Sequence, residues 1–369
     1  MPHFPHHYED ILALLPGIRP QQYSRTRNFT TGAVTRLSPF LSRGVISTRM
    51  VMLHLAQHHS YIACERLLQE LAWRDYYQRV WQSVGHSINA DMRRAQERVH
   101  THLLPTALDK AETGIEAIDA AIRELYNTGY MHNHCRMYTA SVACHAAQAH
   151  WLQPARWMYY HLLDGDWASN ALSWQWVAGT FSNKIYLANQ ENINNYTGSK
   201  QTGSFLDTSY QMLPPSAIPE SLREVVSFEA QTILPAVAHE LQLDQQKPIL
   251  LYNYYNMDPS WHAGTDANRI LLLEPEVFAQ YPVSEHCLQF LLRLAENLPG
   301  LQVYCGSFDA LHTAAKGATI HFKEHPLNTH YSGALEARDW MVPEVQGFHP
   351  SFFSYWKKIQ GRIRAQFSS

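Results

Sequence analysis

Asp164-Gly-Asp166-Trp-Ala-Ser-Asn170-Ala-Leu-Ser-Trp174-Gln-Trp176 is the stretch on which the reading of this chain turns. It sets two carboxylates around a glycine, directly ahead of a helix-like run that carries an amide and the indoles of Trp174 and Trp176. Shortly before it comes Tyr130-Met131-His132-Asn133-His134-Cys135-Arg136-Met137, which adds an arginine and a second amide. A helical core that is merely rich in tryptophan has no use for Asp-Gly-Asp ahead of its indoles, because buried carboxylates without partners are costly. The mixture suits an extended planar cofactor that takes hydrogen bonds along one ring edge and has aromatic neighbours able to pass electrons.

Two upstream segments add to this. In Gly32-Ala-Val34-Thr35-Arg36-Leu37-Ser38-Pro39-Phe40-Leu41 the hydroxyls of Thr35 and Ser38 can donate, and Arg36 offers a bidentate contact to phosphate. A helix beginning just after Ser38 would add its N-terminal dipole to anion binding. Alone, such a Ser/Thr loop is most often a plain N-cap. In Glu70-Leu-Ala-Trp73-Arg74-Asp75-Tyr76-Tyr77, helical spacing puts Glu70, Trp73 and Arg74 on one face. That face either receives a flat polar ligand or is an ion pair of Glu70 with Arg74 beside a core tryptophan. By the same spacing Asn133 and Arg136 face together, and Trp174 lies one helical turn beyond Asn170.

The four segments, in this order, resemble the flavin-binding helical domain of the DNA photolyase/cryptochrome family, over roughly Tyr23 to Trp176. The resemblance implies bound FAD. It implies that Tyr23, Thr35, Arg36, Leu37 and Ser38 hold the diphosphate end, with Arg74 and Asn133 also contacting the cofactor. It implies that Arg136 pairs with Asp164 beside the ring, that Asp166 accepts from the flavin imide N–H, and that Asn170 faces N5. On the substrate side it implies that Glu70 hydrogen-bonds damaged bases, that Trp73 and Trp176 stack on them, and that Met137 marks a pyrimidine-dimer enzyme. Trp174 and Trp151 match the first two members of the family's electron-transfer chain. The third has no tryptophan at its place near Arg98, and Trp157, Tyr159 and Tyr160 all stand as substitutes. The chain departs from the pattern at Val34, Tyr130 and His134. It departs again after Trp176, where the amide-rich, nearly uncharged Val177–Tyr196 replaces the family's DNA-facing rim. That segment suits a polar ligand and supplies few phosphate partners, although phosphate contacts dominate DNA affinity.

At 369 residues the chain has room for two domains. Its net charge of −3 excludes a polycation, so nucleic-acid binding would need a local basic patch. The tail Tyr355–Arg364 is basic and amphipathic, which fits either nucleic acid or a solvated helix face packed by Trp356 and Ile359. No apolar run approaches the roughly 18 residues that span a bilayer, and the N-terminus lacks signal-peptide character. A cytoplasmic protein with no membrane partner is expected. The five cysteines form no CxxC pair and read as reduced core thiols, and the His58-His59, His6-His7 and His100-Thr-His102 groupings show no ligand spacing, so no metal is expected.

The expected fold is a mostly α-helical photolyase-type FAD-binding domain followed by a small α/β, Rossmann-like C-terminal domain. Helical periodicity covers 45–58, 64–84, 115–128, 131–150 and 154–163, with Gly129 as a C-cap. Pro214-Pro215 and Pro219 mark a boundary. The division expected is 1–215 for the helical domain, 216–245 for a linker with a helix around Leu222–Leu241, and 246–369 for the α/β domain. In the last, short strands at 249–252, 270–273, 302–304 and 319–322 alternate with helices at 287–297 and 308–315. The family usually carries its α/β antenna domain before the helical one. With no Gly-rich phosphate fingerprint here, an antenna pigment is not expected. The activity implied is blue-light repair of cyclobutane pyrimidine dimers in DNA, single-stranded DNA included, by electron transfer from reduced flavin. The alternatives are a cryptochrome-like photoreceptor that signals through a partner, and a flavin protein without light chemistry.

Overall fold

The computed structural model describes residues 4–215, 217–236 and 241–367. Contacts divide the chain into two compact units. One is built from Arg19–Thr35 and Val84–Ala230, the other from His3–Ile18, Arg36–Ser83 and Gln231–Ser369.

The first unit is helical. Its main elements are Glu116–Thr128, Asn133–Ser141, Leu152–His161, Trp167–Ala178 and Gln190–Thr197. Gly129 ends the first of these in the left-handed region, at φ 68°. A Cβ there would lie 2.4 Å from Leu163 Cγ, so both backbone and packing require glycine. The helix expected over 131–150 stops at Ser141 and passes into a single π-turn, Val142–Ala146, buried along its length. His145 in that turn is buried with Nε2 2.9 Å from Val177 O, and desolvation lowers its pKa.

The helix expected around Leu222–Leu241 is not formed. Glu220–Leu222 makes one 3-10 turn, and Val225–Val226 (β2) then pairs antiparallel with Leu104–Pro105 (β1). Two adjacent β-branched residues favour a strand, and Pro235 lacks the N–H that a helix interior needs. Residues 216 and 237–240 of that expected linker lie outside the described residues.

The second unit carries a parallel sheet of Ile249–Tyr252 (β3), Asn268–Leu273 (β4), Leu301–Cys305 (β5), Ile320–Lys323 (β6) and Ala334–Glu336 (β7), in the order β5-β4-β3-β6-β7. Ile249, Leu251, Ile270, Leu272, Ile320 and Phe322 fill one face against Phe308 and Leu311 of the Phe308–Ala314 helix. β3 and the end of β4 are continuous buried apolar runs, as in a parallel sheet covered on both faces, whereas Ile320-His-Phe-Lys of β6 alternates.

The linear division into 1–215 and 246–369 is not how the chain packs. Most of the long Tyr61–Val84 helix belongs to the unit with the sheet. Trp73 stacks on Phe352 with ring centroids 3.8 Å apart and planes 8° apart. Tyr76 stacks on Tyr355, and buried Asp75 accepts from Thr48 Oγ1 at 2.9 Å and from Met341 N at 2.8 Å. Sequence periodicity locates this helix but carries no information on which distant segment buries its apolar side.

The basic tail is the helix Phe352–Ala365. Trp356, Ile359 and Ile363 are buried, while Lys357, Lys358, Arg362 and Arg364 are exposed, which is a solvated face on a packed helix. All five cysteines are free; burial pushes Cys64 up to about 11 and Cys135 up to about 12, so they remain thiols. No helix among the described residues is long and apolar enough to cross a membrane.

Candidate cofactor site

The polar centre of the first unit lies at the start of the Trp167–Ala178 helix. Asp166 is its N-cap, with Oδ1 accepting from Ser169 N at 2.8 Å. A carboxylate offers about four lone-pair sites, so the cap leaves acceptor capacity. Gly165 sits where a Cβ would lie 2.9 Å from Leu162 O and 3.1 Å from Tyr159 O, so only glycine lets the chain pass between the two aspartates. Buried Asp164 accepts from Arg136 Nη2 through both oxygens, at 3.0 and 2.9 Å. Arg136 Nε is fixed on Met131 O at 2.8 Å. The pair is charge-assisted, and its arginine end keeps 21% of its surface exposed, against 5% for the aspartate.

Asn170 is buried, and its Nδ2 donates to Ala155 O at 2.8 Å. That bond sets the amide orientation, and among the described residues Oδ1 accepts no hydrogen bond. Ser169 Oγ is buried without a partner. A carboxylate, an oriented amide oxygen and an unpartnered hydroxyl within one helical turn fit a heterocycle with a polar edge. These residues therefore fit the ring end of a flavin.

The indoles of this unit are deeply set. Trp174 is buried, and Trp151 is fully buried with Nε1 donating to Asp91 Oδ1 at 2.7 Å. Asp91 also meets His150 Nε2 at 3.2 Å; no local spacing pointed to this residue. Of the substitutes for the third member of the chain, Trp157 donates from Nε1 to Tyr126 OH at 3.0 Å, Tyr159 packs edge-on to Trp167, and Tyr160 packs edge-on to Phe228. Trp176 is 36% exposed and lies beside Tyr186 with centroids 5.8 Å apart. Asn133 is exposed at the first position of its helix, Met137 lies one turn further along, and Tyr23 and Thr35 are half-buried.

The other expected residues belong to the second unit, where Glu70, Trp73 and Arg74 are each engaged by a neighbour. Arg36 is exposed with φ 54°, a strained value for a residue with a Cβ. Leu37 is the N-cap of Ser38–Ser42 and makes no side-chain capping bond. The helix expected after Ser38 thus begins at Ser38 and lasts five residues, too short for a substantial dipole. Glu70 pairs with Arg66 Nε at 3.4 Å, Arg74 Nη2 donates to Ser42 Oγ at 3.1 Å, and Trp73 is the ring stacked on Phe352. Phe352, Ser42 and Ala155 were not foreseen, because long-range packing and backbone acceptors leave no spacing signal.

In the amide-rich segment after Trp176, Asn189, Gln190, Asn192 and Asn194 are bonded within the chain, while Asn183 and Asn195 are exposed. Asn189 caps the Gln190–Thr197 helix by accepting from Asn192 N, and Asn192 Oδ1 accepts from Tyr138 OH at 2.7 Å. Gln190 Nε2 donates to Asn194 Oδ1, and Ser204 Oγ to Gln190 Oε1. These amides hold the chain to itself, as buried polar groups must.

Residues 67–206 match the family model described as the FAD binding domain of DNA photolyase. Deoxyribodipyrimidine photo-lyase of Streptomyces griseus is 35% identical over 153 residues, 40% of this chain and 32% of that protein. Cryptochrome DASH of Synechocystis sp. is 30% identical over 176 residues, 44% of this chain and 35% of its own length. The chain therefore spans about a third of the length of the curated relatives it matches. A crystal structure of a Synechocystis cryptochrome aligns with 53% of this chain and 44% of its own at 26% identity and a TM-score of 0.46. The matched residues 67–206 hold the Arg136–Asp164 pair, Asp166 and Asn170, so the polar centre of the site lies inside the segment that is similar to the FAD binding domain of DNA photolyase.

Proposed function

We propose that the protein is a blue-light-driven FAD photolyase that repairs cyclobutane pyrimidine dimers in DNA. The observation that carries this reading is the polar end of the Trp167–Ala178 helix, where Asp164, Asp166 and the oriented Asn170 amide lie within one short segment and Arg136 reaches Asp164 from the Asn133–Ser141 helix. When bound, reduced and excited flavin supplies one electron to the dimer and takes it back after ring opening, so the reaction is redox-neutral. Asp166 would hold the ring by accepting from its imide N–H. Asn170, its nitrogen tied to Ala155 O, offers Oδ1 as an acceptor for a protonated ring nitrogen. The Arg136–Asp164 pair would keep a positive group beside the ring without leaving a buried carboxylate unpaired. Trp174 and Trp151 supply buried indoles for photoreduction of resting flavin. Glu70, Trp73, Met137 and Trp176 are the residues assigned to the flipped lesion, and stacking a base on an indole contributes about 1–3 kcal/mol.

The test is recovery of base absorbance when the light-reduced protein meets a thymine-dimer oligonucleotide, single- and double-stranded. Recovery that vanishes in the dark supports repair, and strand preference identifies the DNA form. A photoreceptor that signals through a partner is the second reading. It is favoured by the internal use of the amides after Trp176 and by the stacking of Trp73 on Phe352. Flavin photoreduction without any base recovery would replace the first reading by the second.

A further inference from the structure

The 15-residue connection between β3 and β4, residues 253–267, has no helix and lies across one face of the sheet. Connections of this length without secondary structure are uncommon in compact domains and often functional. On β6, Phe322 points into the core, so His321 and Lys323 occupy the opposite face, and Glu336 of β7 is in register with Lys323. The connection is pinned to that face. Tyr252 OH donates to Trp261 O, Lys323 Nζ meets Asp258 Oδ2 at 2.9 Å, and Trp261 Nε1 donates to Glu336 Oε2 at 2.9 Å. His262 follows with φ 50°, a strained backbone for a residue with a Cβ. Arg269 Nη2 holds it there by donating to the carbonyls of His262, Ala263 and Thr265.

The outcome is a convergence of three side chains from the loop, β6 and β7. His262 Nε2 lies 2.9 Å and His321 Nδ1 3.1 Å from Glu336 Oε1, and one ligand atom from each falls within 4.8 Å of the others. Ligand atoms about 2.0–2.1 Å from a single ion lie about 2.9 Å apart at a right angle and about 3.3 Å apart at the tetrahedral angle. The two separations from Glu336 Oε1 fall within that range. The three side chains are each about a third exposed, which gives an ion an entry path. Trp261 fixes the second oxygen of Glu336, the outer-shell support that orients a metal-binding carboxylate. The neighbouring Lys323 is neutralised by Asp258 and Asp339.

We propose that His262, His321 and Glu336 bind a divalent transition ion of the zinc class, with three protein ligands and a position left for water. No local spacing announces this site, since its ligands come from separate elements.

The test uses the full chain, stripped with chelator and titrated with Zn²⁺ alone against a chromophoric competitor. One equivalent should bind, and His321→Ala and Glu336→Ala should each weaken that step at least tenfold, with unchanged circular dichroism. His58→Ala, which breaks the His54–His58 ring pair on the Thr48–His58 helix, should leave it unchanged. Glu336→Gln guards against misfolding, since it keeps the shape and an oxygen to accept from Trp261 but loses the charged ligand; it too should lose the step. Absence of a stoichiometric step in the unaltered protein, equal affinity in the triad variants, or loss in His58→Ala would each overturn the proposal.

Discussion

The two motif-bearing helices of this protein have had opposite fates. At the start of Trp167–Ala178, the residues singled out by sequence are buried and bonded in ways that a cofactor edge would use: Asp166 caps, Asp164 pairs with Arg136, and Asn170 is oriented by a backbone carbonyl. On Tyr61–Val84, the residues of an equally recognisable motif are engaged by their own unit: Trp73 by Phe352, Glu70 by Arg66 and Arg74 by Ser42. The difference teaches that a motif specifies residue types at a spacing, and packing decides what those residues touch. Asp166 is constrained locally by capping, while the cost of an unpaired buried charge draws Arg136 to Asp164 from a separate helix. An aromatic residue on a helix face is free to pack on whatever the tertiary fold brings to it.

Arg136→Ala should have the largest effect. It leaves Asp164 buried without its countercharge, and unfolding by urea should show a loss of about 3–5 kcal/mol. A loss below 1 kcal/mol would mean that the pair does not organise the site. Asn170→Ala comes next. Removing the donor to buried Ala155 O should cost about 1–3 kcal/mol, and a faster decay of the light-reduced flavin should accompany it if Oδ1 serves the ring. Unchanged decay would reduce Asn170 to a structural amide.

For the other helix, a double-mutant cycle of Trp73→Ala and Phe352→Ala should give a coupling of about 0.5–1.5 kcal/mol in stability. Repair assays on the same variants sharpen the contrast. Loss of repair in Trp73→Ala with repair kept in Phe352→Ala would show that the indole also serves substrate, whereas equal loss in both would assign it to packing. Glu70→Ala, at an exposed ion pair, should change stability by no more than about 0.5 kcal/mol and lower repair without releasing flavin. Unchanged repair would remove its assigned role.

The last effect vanishes at neutral pH. His161 sits among Tyr126, Trp157, Tyr160 and Phe228, and burial pulls its pKa down from 6.5 to about 4. The unfolded chain binds this proton first, so the stability that neutral His161 contributes is present above about pH 6.5 and is lost as pH falls towards 4. His161→Phe should flatten the fall in stability over that window. An unaltered slope would locate the acid sensitivity in another residue.

Much of this architecture is written in short-range pattern. The strands at β3 and β4 follow from apolar runs of strand length between turn signals, and Gly129 marks its helix end through the left-handed backbone that only glycine adopts at ease. The Arg136–Asp164 pair came through the resemblance, and the buried, doubly accepting geometry gives it a physical reason. The region after Pro219 misled, since a helical period was read where β-branched residues pair with β1. The amides after Trp176 misled for a different reason: composition counts hydrogen-bonding groups but not whether the chain itself consumes them.

Local pattern was enough for the long Tyr61–Val84 helix, the strand at β3 and the chemical character of the polar helix start, because these depend on propensity, capping and spacing within a few residues. Only the tertiary structure decided that Trp73 lies on Phe352, that Asn170 is turned by Ala155 O, and that His262, His321 and Glu336 meet. Each of these joins separate elements, and the partner is selected by burial and hydrogen-bond satisfaction across the whole fold, which no local pattern encodes.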